Sequence, residues 1–328
     1  KKGVILGGEP LNGGILAAVS SPDYPPDFFT GLITESDWND IRTNPDKPLI
    51  NRYIQGKYIP GSIVKMITQI ALLKSQHFNK EVKQYCPGFY QYGDRIFGCW
   101  YTEGHGELNV TEAMAVSCDV YFYKTVKQLN LKDLNKTFND FGFGQKTKID
   151  IPNEHVGLVP DSDYMRKRYG KYGWSRGVLL NLAIGQGELL VTPMQVLNYV
   201  NLLATKGKAP NCHFVFVDNL PSNTSPNLEH QIWDNVHKGM RDAIISKNGT
   251  GKRADINVIG FDIYGKTGTA ENPHGDNHAW FVGWADYNDE KYSIVILLEN
   301  AGSGGTVAAP MAKKVFSKLI LDNDFVSR

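Results

Sequence analysis

Ser62 and Lys65 stand three residues apart at the point where an apolar, helix-like stretch begins. Residues at this spacing share one face of a helix and lie one turn apart, so we expect their side chains to meet. A serine hydroxyl becomes a strong nucleophile only when a neighbouring base takes its proton. At a helix start the Ser62 N–H has no acceptor within the helix and can bind an oxyanion. We therefore predict that Ser62 is a nucleophile, that Lys65 is its base and that the Ser62 N–H is an oxyanion-hole donor.

The proposed base needs help from its surroundings. A lysine with its ordinary pKa of about 10.4 is protonated near neutral pH and cannot accept a proton. Burial among apolar side chains and a second cation nearby both lower a lysine pKa. Helices carry Ser and Lys three apart by chance, so the pair alone is weak support for catalysis. The rest of the chain must supply the second cation.

A second group of polar residues, Lys266-Thr267-Gly268-Thr269, follows a strand-like run late in the chain. The two threonines are two residues apart, so their hydroxyls point to the same side of a strand and form a carboxylate clamp with Lys266. Gly268 allows a substrate backbone to approach closely, and the Thr269 N–H is the predicted second oxyanion donor. Lys266 also provides the cation that Lys65 requires.

The tripeptide Ser117-Cys118-Asp119 falls between two predicted helices, where a loop can present side chains to a cleft. We predict that Ser117 relays a proton between Lys65 and the leaving or incoming amine. Asp119 is expected to orient these groups through charge-assisted hydrogen bonds. Alone, the tripeptide also fits an ordinary helix break with a capping Asp.

Three of the four cysteines lie near a histidine in one stretch of the chain: Cys86, Cys99, His105 and Cys118. Three thiolates and an imidazole form a complete tetrahedral zinc set. A rival interpretation is a disulfide between Cys86 and Cys99, with Cys118 a small buried residue and His105 a loop hydrogen-bonder. We favour a structural zinc, because His105 stands between two glycines and Cys118 belongs to the tripeptide above. Such a metal would brace that tripeptide beside the nucleophile.

Composition limits the classes of function. The chain has 328 residues, of which 41% are hydrophobic, so it can bury a substantial core. Its formal net charge is +1, with 35 basic and 34 acidic side chains, which disfavours nucleic acid as a partner. No apolar run approaches the roughly 20 residues that span a bilayer. The chain lacks an initiator methionine and is interpreted as an excised domain.

Strand patterns lie near both ends of the chain and helix patterns lie between them. We therefore predict one α+β domain, with the sheet in residues 1–60 and 246–328 and a helical subdomain in residues 61–245. Strands are predicted at 4–6, 14–19, 258–264, 279–284 and 292–298. Helices are predicted after Ser62, after an N-cap at Thr111, at 120–129 and 131–141, from the Thr192 cap to Gly207, and at 228–245 and 307–321. Residues 21–53 and 85–106 are predicted to be irregular.

Along the chain the three motifs follow in the order Ser62 with Lys65, Ser117 with Asp119, and Lys266-Thr267-Gly268. In this order they resemble the motifs of penicillin-binding proteins and serine β-lactamases. Over essentially its whole length the chain resembles the transpeptidase domain of penicillin-binding protein 2, the monofunctional class B family of cell elongation. Further similar stretches lie at 104–111, 184–187, 192–195, 280–285 and 299–302. Relatives that act in division usually carry Asn in the second motif, so Asp119 favours the elongation branch.

The resemblance implies a penicillin-binding transpeptidase or serine β-lactamase-like fold, with an antiparallel sheet flanked by helices and a large helical subdomain. It also implies cross-linking of peptidoglycan stem peptides that end in D-Ala-D-Ala, through a Ser62 acyl-enzyme that β-lactams form and block. No catalytic cofactor is expected. A membrane anchor and a pedestal domain outside this chain, a periplasmic location at the inner membrane, and partnership with a membrane glycosyltransferase and other elongation proteins are also implied.

Three other activities fit the same fold. A serine β-lactamase needs a base that activates water, and no Glu is confidently placed for this role; a class D enzyme would have an apolar residue at Asp119. A D,D-carboxypeptidase and a β-lactam sensor remain open.

Several other polar or aromatic positions are interpreted as structural. Trp280 is assigned to the core. His274 and His278 are interpreted as surface histidines, and 165–176 as a solvated loop.

Overall fold

The computed structural model describes residues 1–170, 173–215, 226–273 and 275–326. The strands are β1 Gly3–Gly8, β2 Ile15–Ser21, β3 Gln84–Cys86, β4 Phe89–Tyr92, β5 Arg95–Gly98, β6 Gly106–Leu108, β7 Asp262–Ala270, β8 His278–Tyr287 and β9 Glu290–Leu298. The α-helices are α1 Glu35–Thr43, α2 Arg52–Gln55, α3 Lys65–Lys74, α4 Val110–Ala115, α5 Asp119–Thr125, α6 Leu131–Asp140, α7 Ser162–Tyr169, α8 Gly177–Ala183, α9 Pro193–Ala204, α10 His230–Ile245 and α11 Ala309–Val326. A 3₁₀ helix, Gly61–Val64, leads into α3.

The main sheet has five antiparallel strands in the order β2-β1-β9-β8-β7. Val4 of β1 lies opposite Ser20 of β2 on one side and Leu297 of β9 on the other. The predicted pairing of the first two strands is therefore confirmed, and both ends of the chain build one sheet. β7 lies at the edge, so one side of its backbone is left for other contacts.

The sheet is covered on both faces, as its side-chain alternation requires. Trp280 and Val282 of β8 belong to the larger core, which includes the buried helix α9. Phe281, between them, faces the other way and packs with Phe316 of α11 in a second core. The fold class is thus a mixed helix and antiparallel sheet structure, as predicted.

Two predicted helix starts have different outcomes. At α9, Thr192 accepts from the Gln195 N–H and Pro193 follows directly, so the predicted N-cap is confirmed. At α4 the cap is Asn109, and the prediction of Thr111 was wrong. Asn109 accepts from two backbone N–H groups, and Glu112 accepts from the Asn109 N–H in return. Together these bonds satisfy three backbone donors, which a threonine already inside the first turn cannot do.

The stretches predicted to be irregular contain regular elements. Residues 21–53 include α1, which Thr34 caps, and α2. Residues 85–106 contain β4 and β5 as a hairpin, and β3 pairs with β6. These strands have three or four residues, too few to show a period.

Some other predictions need correction. The last predicted strand before β8 was placed at 258–264, but β7 begins at Asp262 and runs through the Lys266 motif to Ala270. The motif is therefore in the middle of a strand. Within 165–176, α7 occupies the described part to Tyr169, so the loop prediction was wrong there. Residues 171, 172 and His274 lie outside the described residues.

His278 opens β8, and its Nδ1 accepts a hydrogen bond from the Asn300 N–H. The side chain is also half-buried. His278 therefore has a structural role and is not a free surface histidine. In the part of the chain that the structure describes, no helix combines the length and the apolar character that crossing a membrane requires.

Candidate active site

Ser62 lies on the 3₁₀ helix, held between a glycine turn and the edge strand. Gly61 has a φ of +58°, and its N–H donates to the Gly185 carbonyl over 2.8 Å. A Cβ on Gly61 would lie 2.8 Å from the Thr269 carbonyl oxygen, and one on Gly185 would lie 2.1 Å from the Gly61 oxygen. Only glycine fits at either position, so the backbone of Gly61 packs closely against both Thr269 and Gly185. These two contacts fix the segment that carries Ser62.

The Thr269 backbone points toward Ser62. Its carbonyl accepts from Gln186 Nε2 over 3.3 Å and lies close to Gly61, so it faces away from β8. In an antiparallel strand the N–H and C=O of one residue point to the same side. The Thr269 N–H therefore points toward the Ser62 helix, where the Ser62 N–H has no preceding acceptor. This geometry suits the predicted pair of oxyanion donors.

Gly268 has a packing role within the protein, and its predicted role towards the substrate stays a prediction. A Cβ there would lie 2.8 Å from Ile63 Cγ2 and 3.1 Å from the Pro60 oxygen. The close approach is thus between β7 and the segment that carries Ser62. Glycine is required at this position by packing within the protein.

Two fully buried lysines meet at Ser117. The Lys65 ammonium donates to Ser117 Oγ over 3.2 Å, to the Ser117 carbonyl over 2.7 Å and to Asp119 Oδ1 over 2.7 Å. The Lys266 ammonium donates to Ser117 Oγ over 2.8 Å and to the Thr267 carbonyl over 2.9 Å. The predicted second cation is therefore present beside Lys65, with one hydroxyl between the two.

Burial lowers the pKa of Lys266 well below its ordinary value of 10.5, and the nearby charge of Lys65 lowers it further, while Asp119 opposes both effects. The predicted action of Lys266 on Lys65 stays a prediction. Among the described residues, the hydrogen bonds of Lys65 go to Ser117 and Asp119, and none goes to Ser62. Direct contact between Ser62 and Lys65 also stays a prediction.

The backbone of Ser117 is strained. α4 ends in a Schellman motif, with the Cys118 N–H donating to the Ala113 carbonyl and the Ser117 N–H to the Met114 carbonyl. Ser117 takes the left-handed position, with a φ of +56°, where glycine is the usual residue. Cys118 then caps α5 by accepting from the Tyr121 N–H. A serine kept at a glycine position indicates that its hydroxyl has a function.

A cleft of about 770 Å³ exposes several of the candidate residues together, while Lys65 and Lys266 lie buried behind it. Ser62, Ser117, Asp119, Thr267 and Thr269 all line it. Trp280 is fully buried and its indole Nε1 donates to the Ile59 carbonyl, so its assignment to the core is confirmed.

The predicted metal ligands form a separate buried cluster beside this cleft. The ligand atoms of Cys86, Cys99, His105 and Cys118 all lie within 4.8 Å of one another. His105 Nδ1 is 3.7 Å from Cys86 Sγ and 3.5 Å from Cys99 Sγ. All four cysteines of the chain are free thiols, so the rival disulfide is not formed. Tetrahedral zinc, with Zn–S distances of about 2.3 Å, fits a donor set of this size.

The site is tied to this cluster through a hydrogen bond from the main chain to a carboxylate. Asp119 Oδ2 accepts from the Trp100 N–H over 3.0 Å, while Oδ1 faces Lys65. Trp100 follows Cys99, and Asp119 follows Cys118. The residues that follow Cys99 and Cys118 are therefore hydrogen-bonded to each other, and Trp100 holds the Asp119 carboxylate that contacts Lys65.

Comparison with known proteins places this arrangement in a family. The family defined as "Penicillin binding protein transpeptidase domain" matches residues 4–317. This chain belongs to that family. Peptidoglycan D,D-transpeptidase MrdA of Acinetobacter baumannii is 33% identical to it over 98% of this chain and 51% of its own length. The chain spans about half the length of the curated relatives it matches.

Solved structures agree with this assignment to the penicillin-binding proteins. Penicillin-binding protein PBP2 of Helicobacter pylori, in its complex with MreC, is 35% identical with a TM-score of 0.88, over 97% of this chain and 60% of its own. A chain from a peptidoglycan synthase complex that coordinates polymerization and crosslinking is 28% identical with a TM-score of 0.85, over 96% of this chain and 55% of its own. The penicillin-binding transpeptidase fold is therefore shown.

Several residues of the candidate cleft were given no role by sequence reasoning. Gln186 lies on it and bonds the Thr269 carbonyl. The resemblance included it within 184–187 but assigned it no role; it stands between Gly185 and Gly187, which both have positive φ. Arg253 and Glu271 also line the cleft, and as single charged residues outside any motif they gave no signal.

Proposed function

We propose that this chain is a peptidoglycan D,D-transpeptidase domain that acts through an acyl-enzyme on Ser62. The observation that carries the proposal is the hydroxyl of Ser117, which is held between Lys65 and Lys266 and borders the same cleft as Ser62. Such a chain of proton-carrying groups suits an acyl transfer that moves protons to and from amines. The name of the relative, peptidoglycan D,D-transpeptidase, supports the substrate class.

In the first half-reaction, Lys65 removes the Ser62 proton, and Ser62 attacks the penultimate carbonyl of a stem peptide that ends in D-Ala-D-Ala. The N–H groups of Ser62 and Thr269 stabilise the oxyanion. Lys266, Thr267 and Thr269 bind the terminal carboxylate.

The first half-reaction ends when the bond between the carbonyl and D-alanine breaks, and Ser117 passes the proton taken by Lys65 to the departing amine. In the second half-reaction, Ser117 takes a proton from the incoming amine. Asp119 holds Lys65 in place through their 2.7 Å ion pair. The incoming amine attacks the acyl-enzyme and the cross-link forms. A β-lactam acylates Ser62 in the same way, by opening of its ring amide bond. The amine that is released stays attached to the acyl group and does not depart, so the adduct persists.

Labelling with a fluorescent penicillin, followed by the rate of label loss, tests this function. We expect a label that persists, and transfer of a peptidyl group from a D-Ala-D-Ala donor to an added amine. Label release within seconds would instead indicate a β-lactamase. Release of D-alanine by hydrolysis alone would indicate a carboxypeptidase, and labelling without any turnover of the donor would indicate a sensor.

We also propose a structural zinc at Cys86, Cys99, His105 and Cys118. All three thiols are buried and free, and the four ligand atoms lie within 4.8 Å of one another, a spacing that suits tetrahedral zinc. The zinc would hold the Trp100 and Asp119 backbones in place and take no part in the reaction, which needs only protein groups.

Metal analysis of protein purified without chelator tests the zinc site. We expect close to one equivalent of zinc per chain, and its loss in Cys86→Ser. Cys212→Ser is the matched control, because Cys212 is buried outside the cluster. Fewer than about 0.2 equivalents in the wild type would contradict the proposal.

We further propose that the protein acts at the periplasmic face of the inner membrane, with a membrane glycosyltransferase and elongation proteins as partners. The complex of the Helicobacter pylori relative with MreC and the synthase complex support such partners. Co-elution of the full-length protein with MreC of its own organism tests the partnership, and separate elution contradicts it. Protease added to spheroplasts tests the location, because it reaches only the periplasmic side of the membrane. We expect it to digest the protein, and protection from the protease would contradict the location.

A further inference from the structure

Tyr123 borders the catalytic cleft and has no role in the mechanism above. It follows Asp119 by one turn of α5, so the two side chains share a face of the helix, and both residues line the cleft. Tyr123 is only 5% exposed. The small accessible part of this residue therefore lies at the cleft.

The hydroxyl of Tyr123 is open to the cleft. No hydrogen bond joins it to a residue that the structure describes, yet it is not one of the enclosed polar atoms that lack a partner. The hydroxyl of Tyr121, two residues earlier on the same helix, is such an enclosed atom. A buried tyrosine normally has a partner for its hydroxyl, so the free group of Tyr123 at the cleft indicates that a ligand supplies one.

Packing holds the ring of Tyr123 in place. Its centroid lies 5.4 Å from that of Phe97, a buried residue of the β4–β5 hairpin. Phe97 lines the same cleft, so the helix and the hairpin meet there through these two rings. A hydroxyl on a fixed ring loses little entropy when a ligand binds, which suits a role in recognition.

Tyr123 is the hydrogen-bond donor that α5 offers to the cleft. Burial, and after it the charge of Asp119, raises the pKa of the Tyr123 phenol, so the hydroxyl keeps its proton. Asp119 cannot take this part, because a carboxylate only accepts, and its two oxygens already accept from Lys65 and from the Trp100 N–H. The matching group on a ligand is an acceptor, such as a carbonyl oxygen.

The surroundings of Tyr123 indicate which part of the substrate it meets. Glu271 directly follows β7 and lines the cleft, and its charge also acts on the Tyr123 phenol, so Tyr123 lies toward the end of β7 beyond Thr269. The terminal carboxylate bound by Lys266, Thr267 and Thr269 belongs to the D-alanine that leaves. The part of the peptide that stays on Ser62 extends the other way, past the end of β7.

We propose that the Tyr123 hydroxyl donates a hydrogen bond to a backbone carbonyl in the acyl part of the donor peptide, and to the side-chain amide carbonyl of a β-lactam in the same place. The inference rests on the proposed transpeptidase function. Tyr123 is then a substrate-binding residue that takes no part in proton transfer. Its contact keeps the scissile carbonyl at the N–H groups of Ser62 and Thr269.

Two β-lactams test this contact. Benzylpenicillin carries a side-chain amide carbonyl, and aminopenicillanic acid has the same bicyclic ring with a free amine instead. We expect Tyr123→Phe to lower the second-order rate constant of adduct formation with benzylpenicillin by about three- to tenfold, as the loss of one hydrogen bond implies, and to leave that with aminopenicillanic acid unchanged. Intact-mass spectrometry of the 328-residue chain over a series of β-lactam concentrations measures both rate constants.

Tyr121→Phe is the matched control, because its hydroxyl is enclosed and cannot reach a ligand. We expect this variant to react with both compounds like the wild type. Urea unfolding of the two variants checks that each is folded, and the phenylalanine ring at 123 keeps its packing against Phe97.

In Tyr123→Phe, an equal loss with the two compounds would assign the residue a structural role, and no loss with benzylpenicillin would show that the hydroxyl is not used. Either result would overturn the inference and leave the transpeptidase proposal standing. Absence of any adduct in the wild type would instead overturn the transpeptidase proposal, and this inference with it.

Discussion

At the scale of single residues, the site depends on two lysine ammonium groups that share the hydroxyl of Ser117. Both lysines are fully buried, and one carboxylate, that of Asp119, lies against Lys65. Burying two cations beside one anion is unfavourable. Burial, and after it the charge of Lys65, lowers the pKa of Lys266.

This lowered pKa predicts a dependence of stability on pH. Between the lowered pKa of Lys266 and the ordinary value of 10.5, the unfolded chain binds a proton that the folded chain does not, so the free energy of unfolding rises with pH across that window. We expect Lys266→Met to remove this rise. Urea titrations at a series of pH values measure it, with Lys132→Met as the exposed control. The same slope in Lys266→Met and in the wild type would contradict the assignment.

Residue types were sufficient to select Ser62, Lys65, Ser117 and Lys266, because few side chains can carry out acyl transfer. Their contacts were not available from the sequence. The sequence places Lys65 three residues from Ser62, yet its hydrogen bonds go to Ser117 and Asp119, more than fifty residues away. Only tertiary packing decides which of several possible partners a flexible lysine takes.

At the scale of elements, the site lies where helix ends and one strand edge meet. Ser117 occupies the end of α4, Asp119 begins α5, and the Ser62 helix packs on β7. Short helices and glycine contacts therefore fix the distances between the catalytic groups. Two predictions belong to these junctions.

The first concerns the strained end of α4. Ser117→Gly and Ser117→Ala both remove the hydroxyl, but only glycine relieves the positive φ of 56°. We expect the glycine variant to be more stable than the alanine variant by about 1 kcal/mol. Both should lose penicillin acylation, by about a hundredfold or more if Ser117 relays the proton. Urea unfolding and labelling rates measure the two effects, and a glycine variant no more stable than alanine would count against the strain.

The second concerns the contact between the Ser62 helix and β7. Gly61→Ala introduces a Cβ 2.8 Å from the Thr269 oxygen at a φ of +58°. We expect a loss of about 1–3 kcal/mol in stability and slower acylation, because Ser62 and the Thr269 N–H are pushed apart. Gly31→Ala is the control, since an added Cβ there meets nothing within 4 Å. Acylation at the wild-type rate in Gly61→Ala would show that this contact does not position the site.

At the scale of the whole molecule, the two ends of the chain form one sheet, and the helices between them supply the other wall of the cleft. The sheet was predictable, because strand patterns with clear alternation lie near both ends. The small strands β3 to β6 were not predictable, and neither was α7. β3, β4 and β5 pack against α5, and Cys86 and Cys99 of this region belong to the thiol cluster; no local sequence pattern records such long-range contacts.

The central claim is that Ser62 is the nucleophile of a penicillin-binding transpeptidase. Mass spectrometry after treatment with a β-lactam tests it most directly, on the wild type and on Ser62→Ala. Our account predicts a mass increase of one β-lactam in the wild type, located on the peptide that contains Ser62, and no adduct in the variant. An adduct that survives in folded Ser62→Ala would contradict the account.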